Sequence, residues 1–250
     1  MDESPALRNL KLVVEYDGTG LAGWQRQDGQ DTVQGWLEKA FQSMTQQEVV
    51  VRGAGRTDAG VHAEGQVANV EVASRIPAIG FLRGLNTFLP REIAVLEVAD
   101  VPATFNARFS ARGKIYRYQV WNHSVRSPRL ARYAWHVYDP LDVHAMREGA
   151  AVLTGEHDFR AFRAADCDRK NTIRIIRRLD VRRDGAMVSI EVEGTAFLRN
   201  MVRILAGTLV AVGRGKMTGV EVAEALASGD RTRAGITAPA WGLTLARVIY

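Results

Sequence analysis

Val33, Trp36, Leu37, Ala40, Phe41 and Met44 recur at helical spacing, and a stripe at i, i+3, i+4, i+7 predicts an amphipathic helix. Asp31 or Thr32 is placed to cap its start. Around this helix the apolar pattern changes period. Residues 10–16 form a short apolar run that ends at the Asp17-Gly18 turn signal, which predicts a strand. A second strand is expected over 49–52, running into a glycine-rich loop, and a third over 66–72. A helix over 79–88 stops before Leu89-Pro90, and a strand follows over 93–98. The order β-α-β-β-α-β is that of a ferredoxin-like unit.

The second half reads as a looser version of the same plan. Residues 114–121 alternate as a strand, and a helix is expected over 141–153, after Asp139-Pro140. Two strands over 172–181 and 187–192 flank Asp184-Gly185. A long helix is expected over 197–212, with Phe197, Met201, Ile204, Leu205 and Thr208 on one face, and a closing strand over 243–250. The fold class is therefore α+β: two ferredoxin-like (RRM-like) halves with mainly antiparallel sheets, meeting near residues 101–112. The expected domains are 1–105, carrying the glycine-rich loop, and 106–250. A central cleft between such halves is a usual place for a site.

Composition narrows the function. With 46% hydrophobic and 24% charged residues the chain is an ordinary globular one. Its start, Met-Asp-Glu-Ser-Pro, is acidic and polar, so no signal peptide is expected. The longest nearly apolar stretch, 204–212, is too short to span a bilayer, so no membrane is expected. A single cysteine, Cys167, excludes an internal disulfide framework and fits a cytoplasmic location. Its neighbours Asp166 and Asp168 disfavour a thiolate. The five histidines show no paired ligand spacing, so no metal site is expected. Charge is uneven: residues 1–100 carry 9 Lys and Arg against 14 Asp and Glu, and residues 101–250 carry 24 against 14. Of the 33 cations, 28 are arginine, whose planar fork matches phosphate oxygens. A basic second half of this kind points to a nucleic acid partner.

The most specific chemistry lies at 53–62, Gly-Ala-Gly-Arg-Thr-Asp-Ala-Gly-Val-His. Gly53, Gly55 and Gly60 permit a tight turn. Arg56, two residues before Asp58, favours an ionised carboxylate. Asp58 reads either as a nucleophile or base held as an anion, or as a turn-capping Asp paired with Arg56. A dinucleotide-binding loop is a poor reading, since the third glycine falls at 60 rather than 58.

Five blocks, in order, resemble the TruA family of tRNA pseudouridine synthases. They are Val-Glu-Tyr-Asp-Gly at 14–18 with Gly-Trp-Gln-Arg-Gln at 23–27, Ala-Gly-Arg-Thr-Asp-Ala-Gly-Val-His at 54–62, Phe-Asn-Ala-Arg-Phe-Ser at 105–110, Tyr-Arg-Tyr at 116–118, and Ala-Phe at 196–197 with Met-Val-Arg at 201–203. The resemblance implies isomerisation of uridine to pseudouridine at positions 38, 39 and 40 in the anticodon stem-loop of tRNA. It implies no cofactor, because the base is detached, turned and rejoined without redox change, and it implies a homodimer.

The resemblance also assigns roles. Asp58 matches the essential catalytic carboxylate, acting at C1′ or C6 of the nucleotide or on the way to a glycal. Arg203, which alone would read as a solvated helix arginine, matches the partner that keeps Asp58 ionised. Tyr116 matches the tyrosine that stacks on the target base, whereas Tyr118, on the same strand face, reads as sheet packing. Arg56 matches the arginine that enters the RNA helix as the nucleotide leaves. Arg26, Arg108, Arg112 and Lys114 are generic candidates for phosphate contact. The basic segment 169–183 matches no block. Two rival readings remain at this level. One is a tRNA-binding protein without catalysis, which would have no need of a carboxylate in a phosphate-binding cleft. The other is a hydrolase or lyase, which would want a second carboxylate, a histidine or metal ligands near Asp58. His62, the one nearby candidate, reads as structural.

Overall fold

A computed structural model describes residues 5–250; Met1 to Ser4, most of the start read above as no signal peptide, lie outside the described residues. The chain forms two compact units, Met1–Arg112 with Leu245–Tyr250, and Gly113–Thr244. The elements are β1 (Leu7–Tyr16), α1 (Val33–Thr45), β2 (Arg52–Gly53), β3 (His62–Ala73), α2 (Ala78–Phe88), β4 (Ile93–Val101), β5 (Gly113–Asn122), β6 (Trp135–Val137), α3 (Val143–Val152), β7 (Gly155–Asp158), β8 (Ile173–Asp184), β9 (Met187–Gly194), α4 (Met201–Gly213), α5 (Gly219–Ser228) and β10 (Leu243–Ile249). The expected α+β class with mainly antiparallel sheets is what the chain adopts.

In the first unit the strand order is β4-β1-β3-β10, with β2 paired to β3. β1 lies antiparallel to both β3 and β4. Leu10, Leu12, Val14 and Tyr16 alternate inward, as period two requires. α1 and α2 pack together over this sheet, with Phe41 and Phe81 ring centroids 5.4 Å apart. Thr32 caps α1 by accepting from the Gly35 amide. α2 ends at Leu89, which is extended (ψ 148°) because the following proline excludes the helical conformation.

In the second unit the order is β5-β9-β8-β7, all antiparallel, with β6 added in parallel to β5. α3 packs on α4, α5 and β8. Tyr118, Met146, Leu153, Phe159, Phe162 and Ile176 are its largest fully buried side chains. Among the described residues no helix is long and apolar enough to cross a membrane.

Three expectations need correction. The strand expected over 49–52 shrinks to Arg52–Gly53. The Val51 amide, which a ladder would use, donates instead to Glu38 Oε1 at 3.0 Å. The helix expected over 197–212 begins only at Met201. Asn200, in the left-handed region at φ 59°, turns the chain before it, and Phe197 lies outside the helix. The helix expected over 141–153 begins at Val143, because the Asp142 carboxylate caps it by accepting from the amides of His144 and Ala145. The sequence reading also missed β6, β7 and α5. α5 carries a full capping box between Thr218 and Glu221, the Thr-x-x-Glu signal of a helix start.

Candidate active site

Asp58 sits in the loop between β2 and β3, half-buried, and the loop is held on both sides of it. Before Asp58, the Trp24 amide donates to the Thr57 carbonyl at 3.1 Å; after it, the Gly60 amide donates to the Leu21 carbonyl at 3.4 Å. Gly60 takes φ 78°. Gly23 takes φ 92°, and a Cβ there would come within 2.6 Å of the Thr57 carbonyl oxygen. The segment 21–24 can therefore lie against the Asp58 loop only because it has no side chain at 23. At the loop's foot Gln66 Nε2 donates to the Gly55 carbonyl at 2.9 Å.

Beneath the loop, the buried Tyr16 hydroxyl shares a 2.8 Å hydrogen bond with Thr57 Oγ1. Burial pushes the Tyr16 phenol up to about 12, against the smaller opposing effect of its hydrogen bonds to Thr57 and Gln66. His62 is buried at the loop's end. Its Nδ1 accepts from the Gly18 amide at 3.0 Å and lies 3.1 Å from Asp17 Oδ1. The bond from Gly18 ties the Asp17-Gly18 turn to the start of β3, which accords with the structural reading of His62.

The exposed Arg56 donates through Nε to Gln25 Oε1 at 3.0 Å. Arg26, next along the chain, donates through Nη1 to the buried carboxylate of Glu38 at 2.9 Å. A polar cluster under this corner of the loop, buried at Gln34 and Glu38, thus joins two of the expected RNA-contacting arginines. Its members Gln25, Gln34 and Glu38 were not singled out in the sequence. Gln34 and Glu38 are polar residues beside an apolar stripe, a pattern that also fits a solvated helix face.

The block at 105–110 is placed by asparagines. Asn9 Nδ2 donates to the Pro102 and Phe105 carbonyls, and Asn69 Oδ1 accepts from the Ala107 amide. Asn106 Oδ1 accepts from the amides of Arg108 and Phe109. Arg108 is exposed, its guanidinium carbon 5.5 Å from the centre of the Phe109 ring, and Phe109 is itself 80% exposed. Arg112 is exposed, and its amide donates to the Ile249 carbonyl at 2.7 Å.

The remaining expected residues belong to the second unit. On β5, Tyr116 and Tyr118 share the buried face, as period two requires, while Lys114 and Arg117 are half-buried. Tyr116 meets Phe197 edge-on, with ring centroids 5.2 Å apart and planes at 86°. Tyr118 donates to the Pro239 carbonyl at 2.9 Å. Burial pushes its phenol far up, while Arg203 pulls it partly back. Arg203, in the first turn of α4, donates through Nε to the Ala238 carbonyl at 2.8 Å and through Nη1 to Asn200 Oδ1 at 3.1 Å. In return, the Ala238 amide donates to the Arg203 carbonyl at 3.1 Å. Asn200 and the backbone at 238 thus fix the guanidinium, and neither is visible as a partner in the sequence.

The first unit thus offers a carboxylate on a clamped glycine loop, and the second an anchored arginine and a tyrosine packed edge-on. A positioned carboxylate can serve as a nucleophile, and an aromatic ring can pack against another ring. The profile described as tRNA pseudouridine synthase matches residues 12–110 and 150–250. A "tRNA pseudouridine synthase A" of Geotalea daltonii is 46% identical, over 98% of this chain and 100% of its own length. The protein of that name from Myxococcus xanthus is 50% identical, over 96% and 91%, and the one from Thermoanaerobacter pseudethanolicus is 45% identical, over 98% and 100%. A chain in a solved "Cbf5-Nop10-Gar1 Complex" has a TM-score of 0.41 and 14% identity, over 94% of this chain and 48% of that one; so low a likeness carries no argument. With the Asp58 loop inside the matched span and relatives aligned over nearly their whole length, the chain belongs to the tRNA pseudouridine synthase family.

Proposed function

We propose that this protein isomerises uridine to pseudouridine at positions 38, 39 and 40 in the anticodon stem-loop of tRNA, with Asp58 as the catalytic carboxylate. The reaction breaks the bond from C1′ to N1, turns the base and joins C1′ to C5; the C5 proton leaves to solvent, and N1 takes up a proton. Atoms and electrons balance within the nucleotide and solvent. Family membership supports the reaction class, and the resemblance of the blocks at 14–27, 54–62, 105–110, 116–118 and 196–203 to TruA enzymes supports the stem-loop. The observation that carries the role of Asp58 is the loop held by backbone bonds from Leu21 and Trp24 on either side of it. A group aimed at a reacting carbon must be positioned before the substrate arrives.

Within this reading Arg203 keeps the attacking carboxylate ionised, and Tyr116 supplies the ring against which the turned-out base stacks. Arg56 fills the space the nucleotide leaves in the helix. Arg26, Arg108, Arg112 and Lys114 contact phosphates, which hold the RNA in register without reading its sequence. The working form is a homodimer, a reading that rests on the resemblance and is checked by light scattering. Cytoplasmic location rests on the single cysteine, Cys167.

The test is tritium release from tRNA labelled at C5 of uridine. Wild type is expected to release tritium from a tRNA with uridine at 38–40. Asp58→Asn is expected to release none while keeping tRNA affinity within about tenfold, since affinity comes mainly from phosphate contacts. Release by the Asp58→Asn protein would overturn the assignment of Asp58. Binding without release by wild type would leave an RNA-binding protein without catalysis.

A further inference from the structure

We propose that Glu38 is a positioning residue for Arg56, acting through two glutamine side chains whose direction it sets. The Glu38 carboxylate is buried on α1, 7% exposed. Its Oε2 accepts from Arg26 Nη1 at 2.9 Å, and its Oε1 accepts from Gln34 Nε2 at 2.9 Å and the Val51 amide at 3.0 Å. A carboxylate can only accept, so the NH2 end of Gln34 must face it. Gln34 Oε1 therefore points the other way, accepting from Gln25 Nε2 at 2.7 Å and the Arg26 amide at 2.9 Å. With its NH2 end committed to Gln34, Gln25 presents Oε1 to Arg56, whose Nε–H donates to it at 3.0 Å.

Each primary amide has one accepting end and one donating end. The fixed acceptor at Glu38 and the fixed donor of the Arg26 amide together therefore decide which end of Gln25 meets the guanidinium. Reversal would turn an NH2 group onto a permanent cation. Hydrogen bonds in series also polarise one another, which strengthens the last acceptor. Val51 ties the same carboxylate to the chain entering the Asp58 loop, and Arg26 ties it to the segment that clamps the loop. The inference rests on the reading of Arg56 as the side chain that enters the RNA helix. If that is its role, its direction must be set in advance, because a misplaced group costs up to about 100-fold in rate.

The test measures turnover and KM on tRNA for wild type, Arg56→Ala, Glu38→Gln, Gln25→Leu, the double variant Glu38→Gln/Gln25→Leu and the double variant Glu38→Gln/Gln25→Glu. Arg56→Ala is expected to be slow. Glu38→Gln and Gln25→Leu are each expected to lower kcat about tenfold with KM little changed, as when an interaction made only in the transition state is removed. The double variant Glu38→Gln/Gln25→Leu should be no slower than the slower single one, because both break one series. A carboxylate at position 25 accepts from Arg56 whichever way Gln34 turns, so Gln25→Glu should restore the rate lost in Glu38→Gln. A merely structural role for Glu38 predicts no such rescue. Wild-type rates for Glu38→Gln and Gln25→Leu beside a slow Arg56→Ala overturn the proposal, as does absence of rescue. If Glu38→Gln fails to fold, Gln25→Leu, at the half-buried end of the series, decides by the same comparison. A wild-type rate for Arg56→Ala overturns the reading of Arg56 itself.

Discussion

Gly23 has no room for a side chain, and its neighbourhood is the part of the molecule where one atom matters most. Alanine there would place a Cβ 2.6 Å from the Thr57 carbonyl oxygen while holding φ 92°. Gly23→Ala is expected to lower stability by about 1–3 kcal/mol, the usual cost of forced crowding, and to lower turnover further by moving Asp58; thermal unfolding and tritium release measured together check it. Tyr16 makes a second prediction. Its folded value, raised by burial to about 12, lies above the ordinary 10, so the unfolded chain releases this proton first. The stabilising contribution is complete below pH 10 and is lost as pH rises from 10 to 12, by roughly 1.4 kcal/mol per unit. Tyr16→Phe should flatten that part of the slope, and urea unfolding at a series of pH values measures the difference. At this scale the candidates Asp58, Arg56, Tyr116 and Arg203 were legible because they sit in short blocks. Their local partners were not. Gln25, Asn200 and the carbonyl of Ala238 are ordinary residues until the fold sets them beside a guanidinium.

α1 shows how much one element can conceal. Its stripe of Val33, Leu37, Ala40 and Phe41 was plain from spacing, and its cap was narrowed to Asp31 or Thr32; Thr32 is the one that accepts from Gly35. Its two buried polar residues were invisible, because i, i+4 spacing puts Gln34 and Glu38 on one face without saying whether water or protein covers it. α4 shows the opposite error. The apolar period at 197–212 continues past the true start of the helix, and a left-handed Asn200 decides the boundary, which periodicity does not register. α5, missed altogether, carries an N-terminal signature that could have found it. Thr218→Ala removes the side chain that accepts from the Glu221 amide. It should lower stability by about 1 kcal/mol and leave tritium release unchanged, since the capping box serves only the helix; parallel unfolding and activity assays decide.

Across the whole molecule the division of charge between residues 1–100 and 101–250 belongs to the sequence. If the basic part carries the RNA, the logarithm of tRNA affinity should fall linearly and steeply with the logarithm of salt concentration, by about 0.7–0.9 per phosphate neutralised. A flat response in filter binding between low and physiological salt would remove the basic second half as the RNA footprint. Many of its arginines are already engaged within the protein. Arg178 alone reaches Asp180, Glu191 and Glu193, so a count of cations overstates the charge offered to a ligand. The α+β class, the order of the main strands and helices, the family and the candidate chemistry could all be read along the chain, because periodicity and short motifs are local properties. Folding settled that Val51 bonds a side chain instead of a strand, that Asp58 is clamped from both sides, and that a buried carboxylate and two glutamine side chains connect in series to Arg56. Those outcomes depend on which donors meet which acceptors across distant parts of the sequence, and no spacing rule along the chain contains that pairing.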